Sequence, residues 1–195
     1  MLIEERNNLY PIFLKTQILN TLIIGGGNVA LEKLSFLLKS SPNSNVTMVA
    51  PFFRKETIAL ANRFNVKMIE EVYDEKYLLE QHMVIATTDD VEVNIQVYTD
   101  CKSRNVLVNV ADNPPYCDFY MGGIVTKGHV KIAISTNGKS PTTAKRLRQF
   151  FEDVIPNDIN KLVENLNAFR KTIKGDFEKK VATLNQITET LVHKN

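Results

Sequence analysis

Residues 20–30 read Asn-Thr-Leu-Ile-Ile-Gly-Gly-Gly-Asn-Val-Ala, an apolar strand that runs straight into a glycine turn and then a helix. Gly25, Gly27 and Ala30 fill the spacing G-x-G-x-x-[G/A], the fingerprint of a βαβ unit that receives a dinucleotide. Each position has a mechanical reason. Gly25 permits the tight turn, Gly27 lacks the Cβ that would hold a pyrophosphate off the backbone, and Ala30 lets the helix close on the sheet. The helix start then offers unpaired N–H groups and the positive end of its dipole to phosphates. Val29, Ala30, Leu34, Leu37 and Leu38 give this helix its apolar face.

Strand and helix patterns keep alternating to about residue 112. Candidate strands are Thr21–Ile24, Val46–Ala50, Val66–Ile69, Met83–Ala86 and Val106–Val110, with helical spacing in Val29–Lys39, Lys55–Phe64 and Val91–Arg104. Continuous apolar strands of this kind are buried on both faces, as in a parallel sheet covered by helices. The expected fold is therefore α/β with a Rossmann-like parallel sheet.

Asn113-Pro114-Pro115 then takes the chain out of the sheet, because proline cannot continue a central strand. Two β-like runs follow, Gly123–Thr126 and Val130–Ser135, joined by Lys127-Gly128-His129. They read as a hairpin with Gly128 at positive φ. A lone hairpin is marginal in water, and a second subunit is a natural surface for it. Ser140 and Pro141 read as N-cap and first position of a helix reaching Phe151. Residues 157–192 read as two helical stretches interrupted near Gly175. Three parts result: a dinucleotide-binding domain at 1–112, a small β-hairpin dimerisation segment at 113–150, and a C-terminal helical region at 151–195.

The 195 residues are 44% hydrophobic and 24% charged, the balance of an ordinary globular protein. A net charge of +2 is too mild to imply nucleic-acid binding. Met1-Leu2-Ile3-Glu4-Glu5-Arg6 lacks the basic start and apolar run of a signal peptide, and no apolar run approaches the roughly 20 residues that cross a bilayer. A cytoplasmic protein without a membrane or nucleic-acid partner is expected. Cys101 and Cys117 match no zinc or redox spacing and read as idle thiols. His82, His129 and His193 are scattered, so no resident metal site is expected.

Ligands of an open parallel sheet lie outside the carboxyl ends of its strands, which directs attention to four segments. The second strand ends Val49-Ala50-Pro51-Phe52, where the acid that bonds the ribose, about 20 residues past the glycines, is missing. Arg54, just beyond, is either an acceptor site for a 2′-phosphate or a solvated first-turn residue. Thr87 and Thr88 after the fourth strand are placed to hydrogen-bond a cofactor, while Asp89 and Asp90 read better as caps of the next helix. Asp112, after Val108-Asn109-Val110-Ala111, is a candidate acid or base. Asp before Asn-Pro-Pro is equally a common turn starter. Ser135-Thr136-Asn137-Gly138-Lys139-Ser140-Pro141 gathers hydroxyls, a cation and a helix start, either an anion site or an ordinary capped helix. Lys145, Arg146 and Arg148 would add positive charge.

Several separated segments match one family in order. They are Tyr10-Pro11-Ile12-Phe13-Leu14, the glycine turn from Ile24 to Ala30 with Lys33, Ala86-Thr87-Thr88-Asp89-Asp90, Asn109-Val110-Ala111-Asp112, and Ile134 to Pro141. Together they resemble the N-terminal half of siroheme synthase and its free-standing relatives, the precorrin-2 dehydrogenases, some of which are also sirohydrochlorin ferrochelatases. The likeness covers about residues 8–156, and the Ala50-Pro51 segment in place of the acid is part of it.

The resemblance implies NAD-dependent oxidation of precorrin-2 to sirohydrochlorin in siroheme synthesis, with ferrous ion as a further substrate where chelation occurs. It implies cofactor contacts at Asn28, Val29, Pro51 and Phe52, beside Gly25, Gly27, Thr87 and Thr88 already placed by the fingerprint and the strand ends, and catalysis by Asp112. Contacts to the carboxylate-rich substrate fall on Ser135, Thr136 and Lys139. Thr136 stands where the bacterial multifunctional enzyme has a serine, a departure from the family pattern at that position. A strand-exchanging homodimer is implied as well. A second resemblance, of the glycine turn with Ala-Thr-x-Asp-Asp-x-x-x-Asn, is to nucleotide-sensing regulatory modules of potassium transport systems. Those modules keep the acid after strand two and do not account for Ile134–Pro141.

Overall fold

Strand β1 (Asn20–Ile24) is buried at Leu22, Ile23 and Ile24, because it lies in the middle of a parallel sheet. The computed structural model describes residues 6–189; residues 1–5 and 190–195, which include His193 and the expected helix end at 192, lie outside the described residues. β2 (Asn45–Val49), β3 (Lys67–Ile69), β4 (Met83–Ala86) and β5 (Leu107–Val110) complete the sheet in the order β3-β2-β1-β4-β5. Ile24 pairs with Val49 on one side and Ala86 on the other, and Ala86 pairs with Val110. The carboxyl ends of four strands therefore finish level, along one edge.

Alternate residues of β1 serve opposite faces, as strand geometry requires. Ile23, Met48 and Ile85 pack with Ala30, Leu34 and Leu38 of α1 (Asn28–Ser40) and Ala61 of α2 (Lys55–Arg63). Leu22, Ile24, Val84 and Val108 pack with Val97 and Cys101 of α3 (Val91–Ser103). This is the doubly wound arrangement expected from the sequence. The link from β3 to β4 carries only a single 3-10 turn, Glu75–Leu78, instead of a full crossover helix, and its buried Leu78 closes the second layer. Burial pushes the Cys101 thiol up to about 12, so it stays protonated and packs as a small apolar group.

β6 (Gly123–Lys127) and β7 (Val130–Ile134) form the antiparallel hairpin. Lys127 pairs with Val130, so the loop is Gly128-His129, one residue shorter than the expected Lys127–His129. Gly128 has φ +55°, the left-handed value that a two-residue hairpin turn demands of its first central residue. The hairpin belongs to one compact unit with α4 (Pro141–Val154), α5 (Ile159–Thr172) and α6 (Phe177–Thr188). Within that unit its tip is bonded to the start of α5 and the link before it: His129 N donates to Asn160 Oδ1 at 2.9 Å, and Lys127 Nζ to Asn157 Oδ1 at 2.5 Å. Part of the covering surface a hairpin needs thus comes from its own chain.

Compact units divide the chain at places other than 112 and 150. One takes residues up to Gly122 together with Ser135–Pro141; the other takes Gly123–Ile134 and the chain from Thr142 on. The physical reason is the hairpin's attachment to α4 and α5, whereas the turn after β7 is bonded toward the N-terminal arm, with Asn7 Nδ2 donating to Ser135 O at 3.3 Å. No helix among the described residues is long and apolar enough to cross a membrane.

Leu34 is fully buried on the inner face of α1, and Phe36, on the same helix, is 46% exposed. Leu34→Ala is expected to cost about 2–5 kcal/mol in urea unfolding, and Phe36→Ala within about 1 kcal/mol. Equal losses would contradict the assignment of faces.

Candidate cofactor and catalytic site

The glycine turn joins three elements. Gly25 has φ +124°, and a Cβ there would overlap the Thr87 hydroxyl. Gly25 N donates to Val49 O at 2.9 Å, while Thr87 N and Oγ1 both donate to Ile24 O, at 2.8 and 2.7 Å. A Cβ on Gly26 would overlap the Phe52 carbonyl. The Gly26 carbonyl itself accepts from Arg54 N at 3.1 Å and Thr57 Oγ1 at 3.2 Å. Sequence spacing singled out Gly25 and Gly27; Gly26 was missed, although the third consecutive glycine was the signal for it.

Gly27 differs from both. A Cβ there would meet nothing within 4 Å, so the space beside it is open to a ligand. Gly27 caps α1 without a side-chain hydrogen bond, and the first turn contains no acidic residue. The first helical bond comes only at Leu31 N, which donates to Gly27 O at 3.0 Å. The N–H groups of Asn28, Val29 and Ala30 precede it and have no intrahelical acceptor. By contrast α3 is closed by Asp90, whose Oδ1 accepts from Glu92 N at 2.9 Å and Val93 N at 3.2 Å, the capping role expected for this pair of aspartates. An open cradle beside an uncapped helix start fits a dinucleotide phosphate, the stabilisation of an anion there being about 0.3–1 kcal/mol and up to about 2 when partly buried.

Pro51 and Phe52 follow β2 and are exposed, Phe52 by 67%. They put an apolar surface where a ribose-binding acid is absent. Arg54 turns to Glu56, with Nε 3.4 Å from Oε2. Thr87 is buried and spends its proton on Ile24, keeping only acceptor capacity. Thr88 is locked to Asn94, whose Nδ2 donates to Thr88 O at 2.9 Å and whose Oδ1 accepts from Thr88 N at 3.2 Å.

β5 ends at Val110 and Ala111 N continues the ladder by donating to Ala86 O at 2.9 Å. Asp112 comes next, exposed, in the left-handed conformation with φ +57°. Its carboxylate makes no hydrogen bond or ion pair to another described residue. Aspartate and asparagine tolerate this backbone better than other non-glycine residues. In the turn after β7, Asn137 and Gly138 are both left-handed, with φ 54° and 75°. Thr136 Oγ1 accepts from Ser140 N at 3.2 Å, and Ser135 Oγ accepts from Asn137 N at 3.1 Å. Ser135 and Lys139 are exposed, and Thr136 is half-buried. The strand-end residues thus share one edge, and the turn from Ser135 to Ser140 is organised by its own bonds.

Among the described residues no group of three or more His, Cys, Asp or Glu is arranged to hold a metal ion.

Residues 12–123 match the family described as Putative NAD(P)-binding, and residues 127–153 the one described as Sirohaem biosynthesis protein central. A siroheme synthase of Pseudoalteromonas translucida is 40% identical over 86% of this chain and 35% of its own length. One from Psychrobacter arcticus is 37% identical over 91% of this chain and 31% of its own. The chain spans about a third of the length of these curated relatives. The solved structure of SirC, precorrin-2 dehydrogenase, has the same fold, with TM-score 0.71, 22% identity, and coverage of 92% of this chain and 89% of that one. None of these is a transport regulator.

Gly27→Ala separates the two duties of the turn. It is expected to leave folding stability within about 1 kcal/mol, since the methyl meets no protein atom, yet to weaken dinucleotide binding in calorimetry. Gly26→Ala is expected to lower the melting temperature, because the Phe52 backbone must move. Full binding by the Gly27 variant would contradict the cradle.

The glycine cradle, the open start of α1 and the two consecutive matches agree: the chain belongs to the putative NAD(P)-binding family, in the form followed directly by the sirohaem biosynthesis central segment.

Proposed function

We propose that this chain oxidises precorrin-2 to sirohydrochlorin with NAD. The observation that carries the proposal is the exposed, unpartnered carboxylate of Asp112 at the same sheet edge as the uncapped start of α1. The dehydrogenase activity in the name of SirC, and the siroheme synthase names of the relatives, support this substrate. Bound at the cradle, a nicotinamide dinucleotide supplies the hydride acceptor. Asn28, Val29 and Ala30 hold its phosphates through their N–H groups, and Pro51 and Phe52 face its adenosine end. Asp112 takes the proton that leaves when the hydride goes. An exposed carboxylate with no competing partner is free to do so. Ser135, Thr136 and Lys139 bind the carboxylates of the substrate.

Asp112→Asn tests the reading. Asparagine accepts the left-handed backbone, so the fold and NAD affinity should stay near those of the parent protein. Loss of a positioned base should lower kcat about 10²–10⁴-fold. Near-parental turnover would return Asp112 to a turn residue. If ferrous ion is inserted into sirohydrochlorin by the same site, Asp112 accepts the pyrrole protons as well, and one substitution lowers both rates.

NAD is the proposed cofactor over NADP, because Arg54 is engaged by Glu56 and the exposed Pro51 and Phe52 give the adenosine end an apolar surface. A higher kcat/KM with NADP would contradict this.

A homodimer through residues 113–150 is the proposed assembly. The hairpin is a two-stranded sheet whose outer edges pair with no other strand among the described residues, and Leu147 and Phe150 of α4 are exposed. Pairing with a second copy removes such edges. Sedimentation should report twice the 22.1 kDa chain mass, and a monomer at micromolar concentration would contradict it.

A further inference from the structure

β5 is the edge strand of the sheet, and its outer side is covered by one residue in an unusual way. Asp118 N donates to Val108 O at 2.7 Å, and Val108 N donates back to Asp118 Oδ2 at 3.1 Å. The carboxylate thus replaces the carbonyl that a sixth strand would have offered. Its other oxygen accepts from Lys102 Nζ of α3 at 2.7 Å. Neighbours on either side add to the seam. Asn109 Nδ2 donates to Phe119 O at 2.8 Å, and Cys117 Sγ lies 3.2 Å from Val110 O.

The seam closes the loop that carries Asp112. The chain leaves the sheet at Ala111, turns through Asp112 and the 3-10 turn Pro114–Tyr116, and returns to β5 at Cys117. Asn113 N bonds back to Val110 O at 3.2 Å and Tyr116 N to Asn113 O at 3.0 Å. Asp112 itself has no side-chain partner among the described residues, so its direction is inherited from the two ends of the loop. One end is β5. The other is the Asp118 seam.

We propose that Asp118 is a positioning residue for Asp112: by pairing with both backbone groups of Val108 it fixes the loop that aims the Asp112 carboxylate at the substrate. The proposal rests on the reading of Asp112 as the base. It requires no contact between Asp118 and substrate, and misplacement by about 1 Å is enough to cost about 10²-fold in rate.

Asp118→Ala, Asp118→Asn and Lys102→Met are compared with Asp112→Asn, using precorrin-2 and NAD. Asp118→Ala is expected to lower kcat about 10–100-fold with KM for NAD unchanged, and to speed hydrogen exchange at the Val108 amide but not at Asn28–Ala30. Asp118→Asn keeps an acceptor for Val108 N and should recover most of the loss. Lys102→Met removes only the ion pair and should lower kcat by about 2–5-fold, in keeping with the small effects of exposed pairs. Parental kcat in Asp118→Ala, with Asp112→Asn inactive, overturns this inference alone. Parental kcat in Asp112→Asn overturns the base and the positioning role together. If Asp118→Ala does not fold, Asp118→Asn decides: faster exchange at the Val108 amide with parental kcat overturns the proposal, and a fall in kcat that accompanies the faster exchange supports it.

Discussion

The close approach of Gly25 and Gly26 to their neighbours is the constraint on which the site depends. With Gly25 against the Thr87 hydroxyl and Gly26 against the Phe52 carbonyl, β1 turns out of the sheet without clearing either neighbour by a methyl group. The bonds follow from that proximity: Val49 to Gly25, Ile24 to Thr87, and Gly26 to both Arg54 and Thr57. Ends of β1, β2 and β4 are thereby held at fixed distances. The turn can then leave its third glycine facing open space.

What remains open is as informative as what is closed. α3 spends an aspartate on its first N–H groups and α1 spends nothing. An exposed helix start beside a Cβ-free cradle has N–H groups and space that suit an anion. Asp112 shows the same logic at the other end of the edge. It is held in a strained region of backbone space, where such residues persist only if their surroundings determine them, and its carboxylate has no described partner.

Much of this was legible from residue order. The glycine spacing, the continuous apolar strands and the proline exit after Asp112 pointed to a parallel sheet and to the strand ends where ligands lie, whereas the order β3-β2-β1-β4-β5 is seen only in the structure. Gly128 at positive φ followed from hairpin chemistry. Other features depend on contacts distant in the chain. Gly26 needs its missing Cβ because of Phe52, and locally only the run of three glycines hints at that. The 3-10 turn Glu75–Leu78 replaces a crossover helix because one buried leucine suffices to close the layer. No local pattern singles out Asp118, whose partner Val108 lies ten residues earlier in the chain. The attachment of the hairpin tip to Asn160 likewise pairs residues with no local pattern in common.

In the proposed function, the level carboxyl ends of β1, β4 and β5 form one oxidation site in which cofactor and substrate meet. Anaerobic absorbance spectroscopy of the unmodified protein with precorrin-2 and limiting NAD tests this most directly. The account predicts that NADH and sirohydrochlorin appear together in equal amounts, at a rate proportional to protein. NAD binding with no NADH formed, and precorrin-2 left unchanged, would contradict it.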